Sequence, residues 1–468
     1  MDNNRIERFF ARWQNKKIAV IGVGVSNTDV IRLFAKKGLD VTLCERKTRE
    51  QLGALADEFE SLGVKFDLGD YAEHLPKYDM IIRAPGVYFN RPELKAAREA
   101  GSVVTSEMEL FFSLCPCKIY AVTGSDGKTT TTSVIAEMLR AEGKTVHLGG
   151  NIGRALLPII ESVKPEDRAV VELSSFQLIS MRHSPDVAVI TNVAPNHLDV
   201  HGTMEEYIDA KRNLYLHQEA DSRTVLNADN EITASFGEDV RGVRWNFSRR
   251  EEVKFGAWAD ENGEMYVADR DENGARRVTH LMHQSAIRIP GLHNVENYLA
   301  AISAVWGEVS AETVRKVASE FGGVEHRIEF VRELDGVKWY NDSIASSPTR
   351  TIAGLKAFDQ KLIIIAGGYD KKIPFEPLVP YLLTKVKALI LTGHTAPKIE
   401  AAVTADPGYS PEILPIHHAK DLQDAVNIAR EIAKSGDIVS LSPACASFDA
   451  FPNFEVRGRV FKDMVNAL

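Results

Sequence analysis

Cysteine is nearly missing: Cys44, Cys115, Cys117 and Cys445 are the four in 468 residues, and none forms a CxxC pair. A disulfide framework is therefore excluded, and Cys115-Pro-Cys117, the one spacing that could serve a metal or a redox couple, is expected to be a reduced bystander. No apolar run approaches the ~20 residues of a membrane span, and the opening MDNNRIERFF has no apolar signal core. The expectation is a cytoplasmic protein without a membrane partner. Positive charge is short as well: 56 Lys and Arg against 65 Asp and Glu leave −9. That balance argues against nucleic acid as a partner, while leaving room for one phosphorylated ligand held locally. Repeats and low-complexity tracts are lacking. What is present is ordinary for a globular chain, 44% apolar and 26% charged, in a length too great for one core, so two or three domains are expected.

The first segment opens KKIAVIGVGVSNTDVIRLFAKKGLDVTLCER. An apolar run from Ile18 to Ile21 leads into Gly22 and Gly24. A helix follows from about Asn27 to a stop at Gly38, and then a strand from Val41 to Cys44. This is a strand–helix–strand unit with a glycine turn. A third strand, in YDMIIRAPG, breaks at Pro85-Gly86. Ligands of open parallel sheets bind at such carboxyl ends, which makes Val25, Ser26, Glu45, Arg46, Pro85 and Gly86 candidate substrate contacts. A dinucleotide reading competes here, with Glu45 on a ribose hydroxyl. Asn27, however, stands where GxGxxG wants its third glycine, and the fragment alone often marks only a tight turn.

A second segment begins near Glu107 and contains KIYAVTGSDGKTTTTSVIAEML. Counting back from Gly127-Lys128, the standard phosphate loop wants a glycine where Val122 stands. The chemistry survives without it. Gly124 and Gly127 let backbone N–H groups from Gly124, Ser125, Asp126, Gly127, Lys128, Thr129 and Thr130 converge on a phosphate, with a helix N-terminus behind them. Lys128 supplies the cation and Thr129 a hydroxyl for Mg²⁺. Such a loop also needs an acidic metal ligand on a neighbouring strand end, and Glu172, closing the run AVVE, fits. His197 and Asp199 in TNVAPNHLDVHG follow the strand VAVIT and belong to the same edge. Lys211, in the helical stretch YIDAKRNLY, reads on composition as an exposed helix lysine, since a bare cation would repel Mg²⁺. Further on, DRDENGARR reads as a surface hairpin, and HNVENYLAAISAVWG as a closing helix. From about Val324, the apolar strands QKLIIIAGG, VKALILTG and GDIVSLSPA alternate with helical stretches, which predicts another open parallel sheet.

The strings TGSDGKTTT, ELSSFQL, TNVAPNHLDVHG, YIDAKRNLY, GLHNVENYLAA, GVEHRIEFV, YNDSIASSPTRT and LSPACASFDAFPNFEVRG, in this order, resemble the Mur ligases over nearly the whole chain. The last is similar to the branch that adds D-glutamate. The resemblance implies three α/β domains: a Rossmann-like UDP-substrate holder over 1–106, a mostly parallel P-loop ATPase over 107–323, and a Rossmann-like lid for ATP and the incoming amino acid over 324–468. It implies ATP with two Mg²⁺, one held by Thr129 and Glu172, the other by Glu172, His197 and a carbamylated Lys211. It places Asn294 and Asn297 against adenine, and Arg327 and Asp342 on ATP. It also places Asn151 near the N-acetylmuramoyl-alanine part, and Ser346, Lys371, Ser447 and Phe454 around D-glutamate. Ile344 departs from a lysine frequent in the family, Ser346 from a threonine, and Asn196 from an acidic residue of some members. The implied activity is ATP-dependent joining of D-glutamate to UDP-N-acetylmuramoyl-L-alanine through an acyl phosphate, by a monomer, in peptidoglycan precursor synthesis. Another Mur-family or folylpolyglutamate-type ligase, an NAD-dependent oxidoreductase and a non-catalytic nucleotide sensor are the alternatives.

Overall fold

Runs of β-branched and aliphatic residues that end in glycine or a polar turn decide all three sheets, because a parallel strand covered on both faces has no solvent side to mark with polar residues. The computed structural model describes residues 3–195 and 198–468, without the side chains of Asn3, Asn4, Val25, Leu198 and Asp199. The chain falls into two compact units, 1–286 with 295–318, and 287–294 with 319–468.

The first unit carries two sheets. In the N-terminal one, β1 (Lys17–Ile21), β2 (Asp40–Glu45), β3 (Lys65–Leu68), β4 (Met80–Arg83) and β5 (Val103–Thr105) lie in the order β3-β2-β1-β4-β5, all parallel. The chain reverses its direction of travel across the sheet between β1 and β4, and the crevice at a switch point of this kind is where such sheets bind ligands. Gly22, at φ 84°, makes the turn after β1, and the helix after it runs Val25–Lys36, starting two residues before the sequence expectation. Asn27 explains its own departure from the glycine pattern: its side chain is buried and donates to the Ile21 carbonyl at 2.8 Å.

The central sheet holds nine strands: β6 (Lys118–Thr123), β7 (Val146–Gly150), β8 (Arg168–Glu172), β9 (Val187–Ile190), β10 (Arg223–Asn227), β11 (Val243–Ser248), β12 (Gly256–Ala259), β13 (Glu264–Arg270) and β14 (Arg276–His283). Their order is β14-β13-β12-β11-β10-β9-β6-β8-β7. Within this sheet, among the described strands, only the pairs β12–β13 and β13–β14 are antiparallel, the latter being the expected hairpin. β6 lies between β8 and β9, so the three strand ends singled out in the sequence are neighbours, with Val122 opposite both Glu172 and Val189.

The second unit has β15 (Glu329–Leu334), β16 (Val337–Asn341), β17 (Leu362–Ala366), β18 (Val386–Leu391), β19 (Ile416–His418) and β20 (Ile438–Leu441), in the order β15-β16-β20-β17-β18-β19. The wholly parallel sheet expected here needs one correction, because β15 pairs antiparallel with β16 at the edge. That edge strand is half-buried along its length and gives no continuous apolar run. Among the described residues no helix is long and apolar enough to cross a membrane. All four cysteines are buried free thiols, with the Cys115 and Cys117 sulfurs 3.5 Å apart.

Candidate active site

The phosphate loop is short because β6 continues where a longer loop would begin: Val122 is a buried strand residue rather than a turn. Two glycines then do the turning. Gly124 has φ 152°, and a Cβ there would collide with the Thr191 hydroxyl. Gly127 has φ 79°, caps the helix Lys128–Ala141, and a Cβ there would strike the Asn297 amide. Neighbouring strand ends pin the loop between them. Ser125 N–H donates to the Asn192 carbonyl and Asp126 N–H to Asn192 Oδ1, each at 2.9 Å, while Ser125 Oγ donates to the Ala194 carbonyl. Thr129 and Thr130 open the helix, half-buried.

Two lysines meet at one carbonyl. Lys128 Nζ folds back to the Gly124 and Ser125 carbonyls, 3.0 Å from each. Lys211 Nζ donates to the same Gly124 oxygen at 2.8 Å and lies 4.5 Å from the centre of the Tyr207 ring. The reading of Lys211 as an exposed helix lysine is overturned, since it is 1% exposed. Composition could not show this, because helix Met204–Arg212 is drawn onto the loop by Tyr207, whose hydroxyl is 3.0 Å from Ser125 Oγ. Burial, with the charge of Lys128 adding to it, brings the Lys211 pKa down to about 7.

Glu172 is buried at the end of β8. One of its oxygens, Oε1, accepts from Asn151 Nδ2 at 2.9 Å, while Oε2 is buried and has no hydrogen-bond partner among the described residues. A buried carboxylate oxygen left in that state is costly unless a cation belongs beside it. No group of three or more His, Cys, Asp or Glu side chains suited to a metal occurs among the described residues. His197 and Asn196 lie outside the described residues, as does the Asp199 side chain. A cation here would thus draw on Glu172 and on oxygens that such a census does not count, the Thr129 hydroxyl first. Asn294 and Asn297 are buried one turn apart on helix Leu292–Val305. Asn294 donates to the Pro290 carbonyl, and Asn297 Oδ1 accepts from Thr131 Oγ1.

On the first sheet, Glu45 holds the glycine turn: its carboxylate accepts from Val23 N–H at 3.0 Å and from Arg46 N–H at 2.8 Å. These bonds give Glu45 a structural role at the strand end, beside the ligand contact expected there. Arg46 and Gly86 are exposed, while Ser26 and Pro85 are half-buried. Val25 opens the helix, its side chain outside the described set.

In the second unit, Lys371 is exposed and donates to Ser346 Oγ at 3.2 Å. Ser447 is buried. The Phe454 ring stands edge-on to His326, with ring centres 5.9 Å apart, and its carbonyl accepts from Ser343 Oγ. Arg327 is exposed. The residue that organises this group escaped the sequence reading although it stands in the string FEVRG. Buried Arg457 donates to the carbonyls of Ser343, Cys445 and Ala446 and to Ser343 Oγ, tying the loop of Ser346 to that of Ser447.

Asp342 is buried, accepting from Ile328 N–H and Ser442 Oγ. Burial pushes its carboxyl up from 3.8 to about 7. Between those values the folded chain binds a proton that the unfolded chain has released, so this group's contribution falls as pH rises through that window and levels off above it. Asp342→Asn is therefore expected to raise stability near pH 8, by on the order of a few kcal/mol at most, with the difference closing towards pH 4. Calorimetry of the full chain across that range checks it.

Comparison with known proteins covers the same ground. The Mur ligase MurD-like N-terminal domain matches residues 16–106, the Mur ligase middle domain 122–305, and the Mur ligase glutamate ligase domain 326–445. A UDP-N-acetylmuramoylalanine--D-glutamate ligase of Acetivibrio thermocellus is 49% identical, covering 100% of this chain and 99% of that protein.

The chain belongs to the Mur ligase family.

A second relative of that name, from Clostridium novyi, is 48% identical over 97% of each chain. Among solved Mur ligase structures, the UDP-N-acetylmuramate-alanine ligase MurC of Thermotoga maritima aligns over 97% of this chain and 100% of its own, with a TM-score of 0.54. At 18% identity that likeness bears on the fold alone.

Proposed function

We propose that the chain is an ATP-dependent ligase that joins D-glutamate to UDP-N-acetylmuramoyl-L-alanine, releasing ADP and phosphate, in peptidoglycan precursor synthesis. The observation that carries this reading is the 49% identity to a ligase of that name across the full length of both proteins. The residue roles are those that the resemblance to the Mur ligases implies. The N–H groups from Gly124 to Thr130 receive the β- and γ-phosphates of ATP at the start of helix Lys128–Ala141. Lys128 leaves the Gly124 and Ser125 carbonyls to meet them. Asn294 and Asn297 take the adenine, and Arg327 and Asp342 further parts of the nucleotide. Val25, Ser26, Glu45, Arg46, Pro85, Gly86 and Asn151 take the UDP-linked substrate. Lys371, Ser346, Ser447 and Phe454 take D-glutamate.

Glu172, with an oxygen buried and unpartnered among the described residues, and the Thr129 hydroxyl would hold Mg²⁺, and Glu172, His197 and Lys211 a second ion. Bound there, Mg²⁺ neutralises phosphate charge, so that one anion can approach another. Lys211 joins as a carbamate. Its depressed pKa keeps a large neutral fraction near pH 7. The nitrogen lone pair of the neutral amine attacks the carbon of CO₂, an oxygen takes the displaced electron pair, and a proton leaves nitrogen for solvent. A cation that repels Mg²⁺ becomes an anion that supports it.

The substrate carboxylate then displaces ADP at the γ-phosphorus, giving an acyl phosphate. The amine of D-glutamate adds at the acyl carbon and phosphate departs. ADP release measured with D-glutamate, L-glutamate and L-alanine in turn tests the reading. Turnover with D-glutamate alone is the expected result, and equal turnover with L-alanine would assign the chain to another amino acid.

A further inference from the structure

One buried charge in the first unit lies outside every role assigned above. Arg83 closes β4, opposite Ile21 of β1 and just before Pro85-Gly86. It is 1% exposed. Its bonded partners are two carbonyls and a hydroxyl rather than a carboxylate: Nη1 donates to Val87 O at 3.1 Å, and Nη2 to Phe176 O and Ser180 Oγ at 2.8 Å each. Nε is buried without a hydrogen-bond partner among the described residues. Burial lowers its pKa to about 10, with nearby Glu109 opposing the shift. Burying a cation among carbonyls, with Glu109 offsetting only part of the cost, carries a desolvation penalty that an apolar side chain would not incur, so stability alone does not account for it.

Its bonds do account for it. Arg83 belongs to the first sheet, whereas Phe176 and Ser180 belong to the segment that follows Glu172 in the central domain. The loop after Arg83 makes a second attachment, as Tyr88 OH and Asn90 Nδ2 donate to Glu206 on the helix that carries Lys211. Between the two attachments the rings are continuous. Tyr88 meets His201 edge-on, His201 stacks on Phe176 at 5.0 Å and meets Tyr207 edge-on at 5.4 Å, and the Tyr207 hydroxyl reaches the phosphate loop at Ser125.

We propose that Arg83 is a positioning residue for the ligase reaction, bolting the substrate-binding end of the first sheet to the segment that follows Glu172. It thereby sets where the carboxylate of the nucleotide-linked substrate stands relative to the phosphate loop. This rests on the ligase reading, so wild-type turnover with D-glutamate is measured first, and its absence counts against that reading and not against Arg83.

In an active preparation, Arg83→Met fills the same space without the three donated bonds. A misplacement of about 1 Å between reacting groups costs on the order of a hundredfold. Accordingly kcat is expected to fall about 10- to 100-fold, with KM for ATP and for the UDP-linked substrate within about threefold of wild type. The melting temperature should hold or rise, since a charge that burial disfavours is removed. Arg83→Lys, which retains a cation but cannot fork to Phe176 and Ser180 together, should recover only part of kcat. A folded Arg83→Met enzyme with wild-type kcat overturns the proposal, as does a lowered melting temperature with kcat unchanged. If Arg83→Met does not fold, Arg83→Lys decides alone: a reduced kcat at unchanged KM supports the role, and a wild-type kcat ends it.

Discussion

Lys211→Ala is expected to lower kcat by two to three orders of magnitude, the scale on which removal of one charge-stabilising group acts, without unfolding the chain. A surface lysine would give the opposite result, a stability change within about 0.5 kcal/mol and full activity. The distinction rests on sign of charge. As an ammonium, Lys211 places a cation beside Lys128 on the Gly124 carbonyl. As a carbamate it supplies the anion that Glu172 alone does not. Lys211→Met keeps the aliphatic stem and separates packing from charge. Because the folded pKa is about 7 against an ordinary 10.5, the cost of holding the ammonium is fully present below pH 7 and is relieved as pH rises towards 10.5. Lys211→Met should therefore be at least as stable as wild type at pH 6, with the advantage shrinking at higher pH, and equally inactive. Acetate added to Lys211→Ala should restore part of the rate by entering the vacated space. A fully active Lys211→Ala enzyme returns the residue to a structural role.

Lys128→Ala is expected to cost a comparable or larger factor in kcat, because one cation that must accompany the γ-phosphate through the transfer is removed. Two of its bonds are to carbonyls of its own loop, and such bonds contribute modestly to net stability. Stability should then change by no more than about 1 kcal/mol. Circular dichroism and a melting curve on the same preparation separate the two effects. Retention of a sizeable fraction of wild-type kcat would mean that ATP binds elsewhere.

The phosphate loop was legible because its chemistry is contiguous: strand, two glycines, lysine and threonine follow one another, and the turn they dictate is local. Glu172 was legible for a similar reason, an acidic residue ending an apolar run beside that strand. Lys211 was legible only through the resemblance, because burial is a property of what packs on a helix, and a lysine reads alike on either face. Arg83 and Arg457 were missed because each is defined by carbonyls far along the chain; Phe176 and Ser180 lie 93 and 97 residues from Arg83. Strand β15 was missed because a half-buried edge strand carries no run to detect. Asn27, which spoiled a glycine pattern, proved to be a strand-end partner that no pattern of glycines describes.

Phosphate release from ATP, followed continuously with each substrate omitted in turn, tests the central claim most directly. The account predicts sustained release only when ATP, Mg²⁺, UDP-N-acetylmuramoyl-L-alanine and D-glutamate are all present, with one D-glutamate consumed per phosphate. Sustained release that is indifferent to D-glutamate, or no release with the complete set, would contradict it.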